Sequence, residues 1–298
     1  MTHVATLISN PAAPGLTDAI VTRTAKSLPQ AQAPVWLAPD VAADIPFTPA
    51  AGQDVQTLLD ALKLDLQGLA VDIAVQGTAH RRKKLLVADM DSTMIGQECI
   101  DELAGVLGLK EKVAEITERA MNGEIAFEPA LRERVALLRG LPKSVVDDVL
   151  ADRITLMPGA RTLVRTMKAN GAYAALVSGG FTVFTGPVSK MIGFDEHRSN
   201  ILLVEGDTLA GEVQEPILGK EAKLASLKEL TAAHDLSIED TMAVGDGAND
   251  LAMLQAAGLG VAYHAKPAVA AAAHLCVDHG DLTALLYIQG YRQSDFAA

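Results

Sequence analysis

The sequence predicts an α/β protein: a parallel sheet flanked by helices, with a small helical insertion and a separate α+β module ahead of it. Three observations predict this class. Short aliphatic runs at 85–88, 174–177 and 242–244 each end in a polar cluster, as buried parallel strands do. Helical stretches separate those runs, the alternation that builds a parallel sheet. Residues 1–80 carry their own succession of short strands and helices.

In that first module, 5–8 reads as a strand, 16–28 as a helix, 35–37 as a strand and 43–47 as another short strand. A helix over 54–64 and a strand over 70–75 complete the order βαββαβ, which fits a ferredoxin-like domain. The basic run His80-Arg81-Arg82-Lys83-Lys84 reads as a solvated linker rather than a binding patch, and divides 1–80 from 81–298.

The run 85–88 leads into Asp89-Met90-Asp91-Ser92-Thr93. Ligands of open α/β sheets bind just beyond the carboxyl ends of the strands, where these carboxylates fall. One can serve as a nucleophile and the other as a proton donor and acceptor, with a divalent cation holding the pair. Two solvated aspartates in a turn are the alternative. From about 96 to 156 the chain reads as helices at 97–106, 110–121, 127–138 and 142–150, punctuated by Gly108, Gly123 and Gly140. A small helical cap over a site would exclude water and select the substrate. On it, Glu98 could pair with an ammonium and Arg134 grip a carboxylate with its planar fork, or both could be surface charges. Met121 and Phe127 are either apolar walls or cap core.

The run 174–181 ends in Ser178-Gly179-Gly180-Phe181 before a helix, a junction that offers backbone N–H groups to an anion. Lys223, on a helix, could neutralise phosphate charge or simply be solvated. The run 242–244 leads into Gly245-Asp246-Gly247-Ala248-Asn249-Asp250, whose glycines permit a tight turn. Carboxylates with few other protein ligands suit Mg²⁺; Asn249 or Asp250 could instead cap a helix over 250–257. A packed helix at 268–273 and a last strand at 275–278 close the chain, with His274 and His279 as structural or surface residues.

Asp-x-Asp-x-Thr at 89–93, Ser-Gly-Gly at 178–180, Lys223 and Gly-Asp-Gly-x-Asn-Asp at 245–250 together resemble the motif set of the haloacid dehalogenase (HAD) superfamily of phosphotransferases. Over roughly 82–290 the chain resembles more specifically the phosphoserine phosphatase family, with Glu98, Arg134, Phe127 and Phe181 at the matching places. The resemblance implies a Rossmann-like parallel core with a small helical cap. It implies Mg²⁺-dependent hydrolysis of O-phosphoserine to serine and phosphate through an aspartyl phosphate, the last step of serine biosynthesis. Asp89 would be the nucleophile and Asp91 the general acid and base. Asp89, the backbone carbonyl of Asp91 and Asp246 would hold Mg²⁺, with Asp250 or Asn249 orienting the site. Ser178, Gly179 and Lys223 would hold the phosphoryl oxygens; Glu98 and Arg134 would take the α-ammonium and α-carboxylate, with Asn249 among the substrate-binding residues. The physical logic agrees: phosphoryl transfer asks a protein chiefly for positioning and charge stabilisation. The first module weakly resembles ACT modules, which implies either a regulatory serine site or, the reading preferred here, a packing or dimerisation unit, since fold alone assigns no ligand.

Composition narrows the classes. The 298 residues suffice for two domains, and a net charge of −12 argues against a nucleic-acid surface. Cys99 and Cys276 form no disulfide framework, which favours a reducing cytoplasm. No apolar stretch reaches about 18 residues and no signal pattern opens the chain, which excludes membrane pumps of similar chemistry. The seven histidines are scattered, without transition-metal spacing. The expected partners are a small-molecule substrate and, for assembly, a second copy in a homodimer. Two alternatives remain at this level: action on another small phosphomonoester, and a metabolite-binding regulator with a silent catalytic fold. Glu98 with Arg134 discriminates the first, because a zwitterionic substrate needs both charges; the filled acidic, Ser and Lys positions count against the second.

Overall fold

The computed structural model describes residues 1–121 and 124–297, apart from the side chains of residues 118, 120 and 121. The cap-wall reading of Met121 and the helix stop at Gly123 therefore lie outside the described residues.

The first module runs β1 (His3–Ser9), α1 (Asp18–Ser27), β2 (Val35–Ala38), β3 (Ala42–Phe47), α2 (Val55–Asp65) and β4 (Val71–Gly77). Its sheet has the order β2-β3-β1-β4 with antiparallel neighbours, as the ferredoxin-like reading requires. Both helices begin where a side chain can satisfy their first amides: Thr17 accepts from Ile20 N, and Asp54 from Gln56 N and Thr57 N.

The remainder runs β5 (Leu85–Ala88), α3 (Cys99–Val106), α4 (Lys110–Met121), α5 (Phe127–Ala136), α6 (Ser144–Asp152), α7 (Ala160–Ala169), β6 (Tyr173–Phe181), α8 (Thr182–Ile192) and β7 (Glu196–Asn200). It continues with β8 (Leu202–Glu205), β9 (Thr208–Val213), α9 (Lys220–Ala233), β10 (Thr241–Gly245), α10 (Leu251–Ala256), β11 (Leu259–Tyr263), α11 (Pro267–Ala270), β12 (Leu275–Val277) and α12 (Ala284–Ile288). Six parallel strands lie in the order β12-β11-β10-β5-β6-β7. All four residues of β5 are fully buried, which their aliphatic side chains require of a strand covered on both faces. Ala88 sits level with Val244 of β10 and Leu176 of β6. That register brings the residues following the three aliphatic runs to one edge of the sheet.

Helices α3–α6 form the insertion. Its two connections run side by side, with Ile95 bridged antiparallel to Leu156 and Gly96 N donating to Thr155 O at 3.0 Å. The β8–β9 hairpin, which sequence reading does not anticipate, braces α5 and α6: Pro142 bridges to Thr208, and Gly140 N donates to Leu209 O at 2.9 Å. That bridge starts α6 at Ser144 rather than 142. β7 also escapes the reading, because Glu-His-Arg-Ser-Asn is a polar edge strand without an apolar run. The helix expected at 268–273 ends at Ala270.

The basic run is no solvated linker. Arg81 makes a bidentate pair with Asp44, both contacts at 2.7 Å, and donates to the carbonyls of Ile288 and Tyr287. Arg82 stacks on the Tyr291 ring, and buried Lys83 donates to Glu239 O. On β4, buried Asp72 accepts from the backbone N–H groups of Asp278, His279 and Gly280. These contacts bind the first sheet to the loop after β12 and to α12, and one apolar cluster runs through both parts, with a second on the α9–α10 side of the parallel sheet.

Candidate active site

Asp89 follows β5 directly, and its amide donates to Val244 O at 3.0 Å, so the β5–β10 pairing extends to the site itself. One carboxylate oxygen accepts from Met90 N at 2.8 Å; the other lies 2.7 Å from the Lys223 ammonium. Lys223 comes from the first turns of α9 and is 2% exposed, against the solvated reading of a lone helical lysine. Its ammonium also donates to Asp250 at 2.6 Å, and the second Asp250 oxygen accepts from Gly247 N at 3.0 Å. Asp250 stands at the start of α10 but makes no side-chain cap there; its carboxylate is spent on Lys223 and the Gly247 turn. Gly245 is needed for this: a Cβ on it would lie 2.3 Å from Asp250 Cγ.

Burial alone would depress the Lys223 ammonium, but Asp250 and Asp89 reverse this and hold it above the ordinary lysine range. Burial, and then the Asp250 charge, push the Asp89 carboxyl well up despite Lys223. The fully buried Asp89–Lys223–Asp250 array is thus short of positive charge.

Asp91, two residues on, is oriented separately. One oxygen accepts from Cys99 N at the start of α3 at 2.9 Å, and the other accepts from the Ser178 hydroxyl at 3.3 Å. Burial raises its carboxyl, against these hydrogen bonds. Ser178, 3% exposed at the end of the apolar part of β6, in turn accepts from Gly180 N at 2.8 Å. A Cβ on Gly180 would lie 3.0 Å from both Asp91 Oδ2 and Ser178 Oγ, so glycine keeps that corner open. Asp246 accepts from Thr93 Oγ1 at 2.9 Å, and its carboxyl is raised chiefly by burial.

Asp89, Asp246 and Asp250 each offer a carboxylate oxygen within 4.8 Å of the others. Three such hard donors beside the Lys223 ammonium suit a divalent cation, which would supply the charge the cluster lacks. The Asp91 carboxylate lies outside this group, engaged by Cys99 N and Ser178. Asn249 is half-buried between Asp246 and Asp250, folded so that a Cβ on Gly247 would meet its Oδ1 at 2.3 Å.

The insertion contributes the remaining groups. Glu98, the residue before α3, is open to solvent in the cleft and accepts from Ser92 Oγ at 2.7 Å. The protein crowding it, and then Asp91, raise its carboxyl to about 7. Ser92 holds that position from a left-handed backbone, φ 55°. Arg134, half-buried on α5, donates to Ala130 O at 3.2 Å and Thr117 Oγ1 at 3.3 Å; burial lowers its guanidinium, while Asp101, Glu98 and Asp91 act to raise it. Phe127 lies across the mouth, placed so that a Cβ on Gly179 would sit 3.4 Å from its ring and one on Gly219 3.5 Å from it. The two apolar readings of this residue merge: it belongs to the cap and touches the floor of the cleft.

Asp89, Asp91, Ser178, Lys223, Asp246 and Asp250 are thus brought together beyond the sheet, with Glu98, Arg134 and Phe127 of the insertion around them. Sequence reading assigned no role to Thr93, Ser92, Thr117 or Asp101. For Thr93 and Ser92 a signal existed, since both stand in the Asp-x-Asp motif; the others are recognisable only by what packs beside them.

A model of the haloacid dehalogenase-like hydrolase family matches residues 86–255. The chain is 43% identical over 249 residues to a phosphoserine phosphatase of Streptomyces coelicolor, over 83% of this chain and 60% of that protein, so it spans less than two thirds of that relative. The crystal structure of a HAD family hydrolase, t0658 of Salmonella enterica serovar Typhi, superposes with a TM-score of 0.86 at 28% identity, over 96% of this chain and 98% of that one. A structure of a phospho-aspartyl intermediate analogue of phosphoserine phosphatase superposes with a TM-score of 0.65 at 39% identity, over 69% of this chain and 98% of that one.

Proposed function

The chain belongs to the haloacid dehalogenase-like hydrolases, and from that premise we propose that it hydrolyses O-phosphoserine to serine and phosphate in a Mg²⁺-dependent reaction. The observation that carries this reading is that Asp91, two residues from the Lys223-paired Asp89, lies within the electrostatic reach of one carboxylate and one guanidinium of the insertion, Glu98 and Arg134. The relatives named above support it, since two of the three are phosphoserine phosphatases.

Asp89 attacks phosphorus and becomes the aspartyl phosphate. Asp91, whose raised carboxyl keeps a proton more readily than an exposed aspartate, protonates the departing serine oxygen. It then takes a proton from the water that hydrolyses the intermediate. Ser178, Gly179 and Lys223 hold the phosphoryl oxygens, and Glu98 and Arg134 take the α-ammonium and α-carboxylate. Asp89, the Asp91 carbonyl and Asp246 would hold Mg²⁺, with Asp250 or Asn249 orienting the site. The cation, when bound, supplies charge neutralisation that lets one anion approach another.

The chain divides on this reading into an ACT-like module at 1–80 and a phosphatase domain at 81–298, with its cap at about 96–156. The bidentate Arg81–Asp44 pair and the Asp72 contacts support a packing role for the first module, and a homodimer is its natural extension. Among the described residues no helix is long and apolar enough to cross a membrane, which accords with a cytoplasmic enzyme.

The test is a phosphate-release screen across small phosphomonoesters, with Mg²⁺ and with a chelator, followed by mass-spectrometric mapping of the trapped intermediate. Preferential turnover of phosphoserine, loss on chelation and phosphate on Asp89 are the expected results. Turnover of other phosphomonoesters alone would overturn the substrate, and phosphate on Asp91 or Ser178 the roles.

A further inference from the structure

Asn200 ends β7, the polar edge strand, far in sequence from every motif, yet it is 2% exposed. Its amide nitrogen donates to Gly179 O at 2.9 Å and to Leu218 O at 3.1 Å. Its amide oxygen accepts from Leu218 N at 2.8 Å. One side chain therefore fastens together the loop that follows Ser178 and the segment that leads into α9, where Leu218 stands two residues before Lys220 and five before Lys223.

The geometry points to Asn200 as a positioning residue for both phosphoryl-holding arms, an inference that rests on the phosphatase reading above. In a trans peptide the C=O and N–H point in opposite directions. Holding the Gly179 carbonyl against Asn200 thus turns the Gly180 N–H the other way, onto Ser178 Oγ at 2.8 Å. With that acceptor site filled, the Ser178 hydroxyl is free to donate into the cleft, where its partner is Asp91 at 3.3 Å. At the other end, two hydrogen bonds to Leu218 fix the peptide units on either side of it, just ahead of α9, and so set the height from which Lys223 reaches Asp89. Phe127 of the cap rests against Gly179 and Gly219, the two residues at the edges of this clasp. Asparagine is specifically suited: a buried carboxylate there would face two carbonyl oxygens with no proton to offer, and a leucine would leave three backbone groups unpaired.

The test compares Asn200→Asp and Asn200→Ala with the wild type, in Mg²⁺, on O-phosphoserine and on an activated aryl phosphate. Misplacing catalytic groups by about 1 Å costs on the order of 10²-fold, so kcat should fall roughly 10- to 100-fold on both substrates by a common factor. Inhibition by inorganic phosphate should weaken in parallel, while the ratio of the two KM values stays as in the wild type. Hydrogen exchange should quicken in peptides covering 178–181 and 217–220 and not across the parallel sheet. Near-wild-type kcat in either folded variant, a loss confined to phosphoserine, or faster exchange throughout the sheet would each overturn the inference. If the wild type releases phosphate from no phosphomonoester, the proposed function fails, and calorimetric binding of inorganic phosphate reads Asn200 separately. Weaker binding in Asn200→Asp than in the wild type then supports the clasp, and equal or undetectable binding in both overturns it.

Discussion

Replacing Lys223 by Met removes the one cation held between Asp89 and Asp250 while keeping most of the side chain's volume. Lys223 is 2% exposed and Asp250 0%, so no water can take over the vacated hydrogen bonds at 2.7 and 2.6 Å without the site opening. Breaking a buried ion pair by deleting one partner costs about 3–5 kcal/mol, because the other charge stays behind uncompensated. For a chain of this size that corresponds to a fall in Tm of roughly 5–8 °C at neutral pH in the presence of chelator. The deficit should depend on pH with a definite sign. Asp89 already sits above the ordinary carboxylate range, through burial and then Asp250, and Lys223 is what holds it down. Without Lys223 it rises further, so the folded variant binds a proton that the unfolded chain releases. Stability then falls as pH rises through the folded value and recovers as pH is lowered. Thermal melts of wild type and Lys223→Met between pH 5 and 8 should show a gap that is widest at the alkaline end. Turnover should fall about 10²–10³-fold, as for loss of one charge-stabilising donor. A gap that is negligible, or constant across that pH range, would refute the argument that Lys223 compensates buried carboxylate charge.

Asp91→Asn should lower kcat about 10²–10⁴-fold, and pre-steady-state bursts with a good leaving group should show dephosphorylation slowed, since that step still needs a base. Arg134→Ala and Glu98→Ala should each reduce kcat/KM for phosphoserine by about 2–5 kcal/mol while sparing an activated aryl phosphate; equal losses on both substrates would make them cap-folding residues. Because Glu98 must be ionised to hold an ammonium, kcat/KM for phosphoserine should gain a rising limb between the ordinary glutamate range and 7, absent from the aryl phosphate profile. Arg81→Met leaves Asp44 buried without its partner and should cost about 3 kcal/mol; limited proteolysis should then release residues 1–80 more readily, and unchanged melting and cleavage would contradict the tether.

Which parts were legible in the sequence follows from how local their physics is. Leu85 to Ala88 reads as a buried strand because four consecutive aliphatic side chains have no other stable place, and Asp89 follows within one residue. The βαββαβ order of the first module is equally local, and the antiparallel sheet agrees with it. β7 was invisible because Glu196 to Asn200 forms an edge strand whose polar side chains find partners on β6, α8 and α9 rather than in an apolar core, as the Arg198–Glu229 pair does at 2.8 Å. Arg81 was misread for the same reason: its charge suggests water, and only the fold brings Asp44 to it from 37 residues away.

By itself the sequence determined which residues are candidates for the chemistry and their order along the chain, since aspartates at strand ends, a Ser-Gly-Gly turn and an Asp-rich glycine turn are local statements about backbone and side chain. The tertiary structure alone decided how those residues act on one another. It made Lys223 a buried counter-ion rather than a solvated lysine, turned Asp250 from a helix cap into its partner, and tied Gly179 to Leu218 through Asn200. Those outcomes depend on desolvation and on contacts between strands and helices distant in the chain, and neither quantity is a property of a residue together with its sequence neighbours.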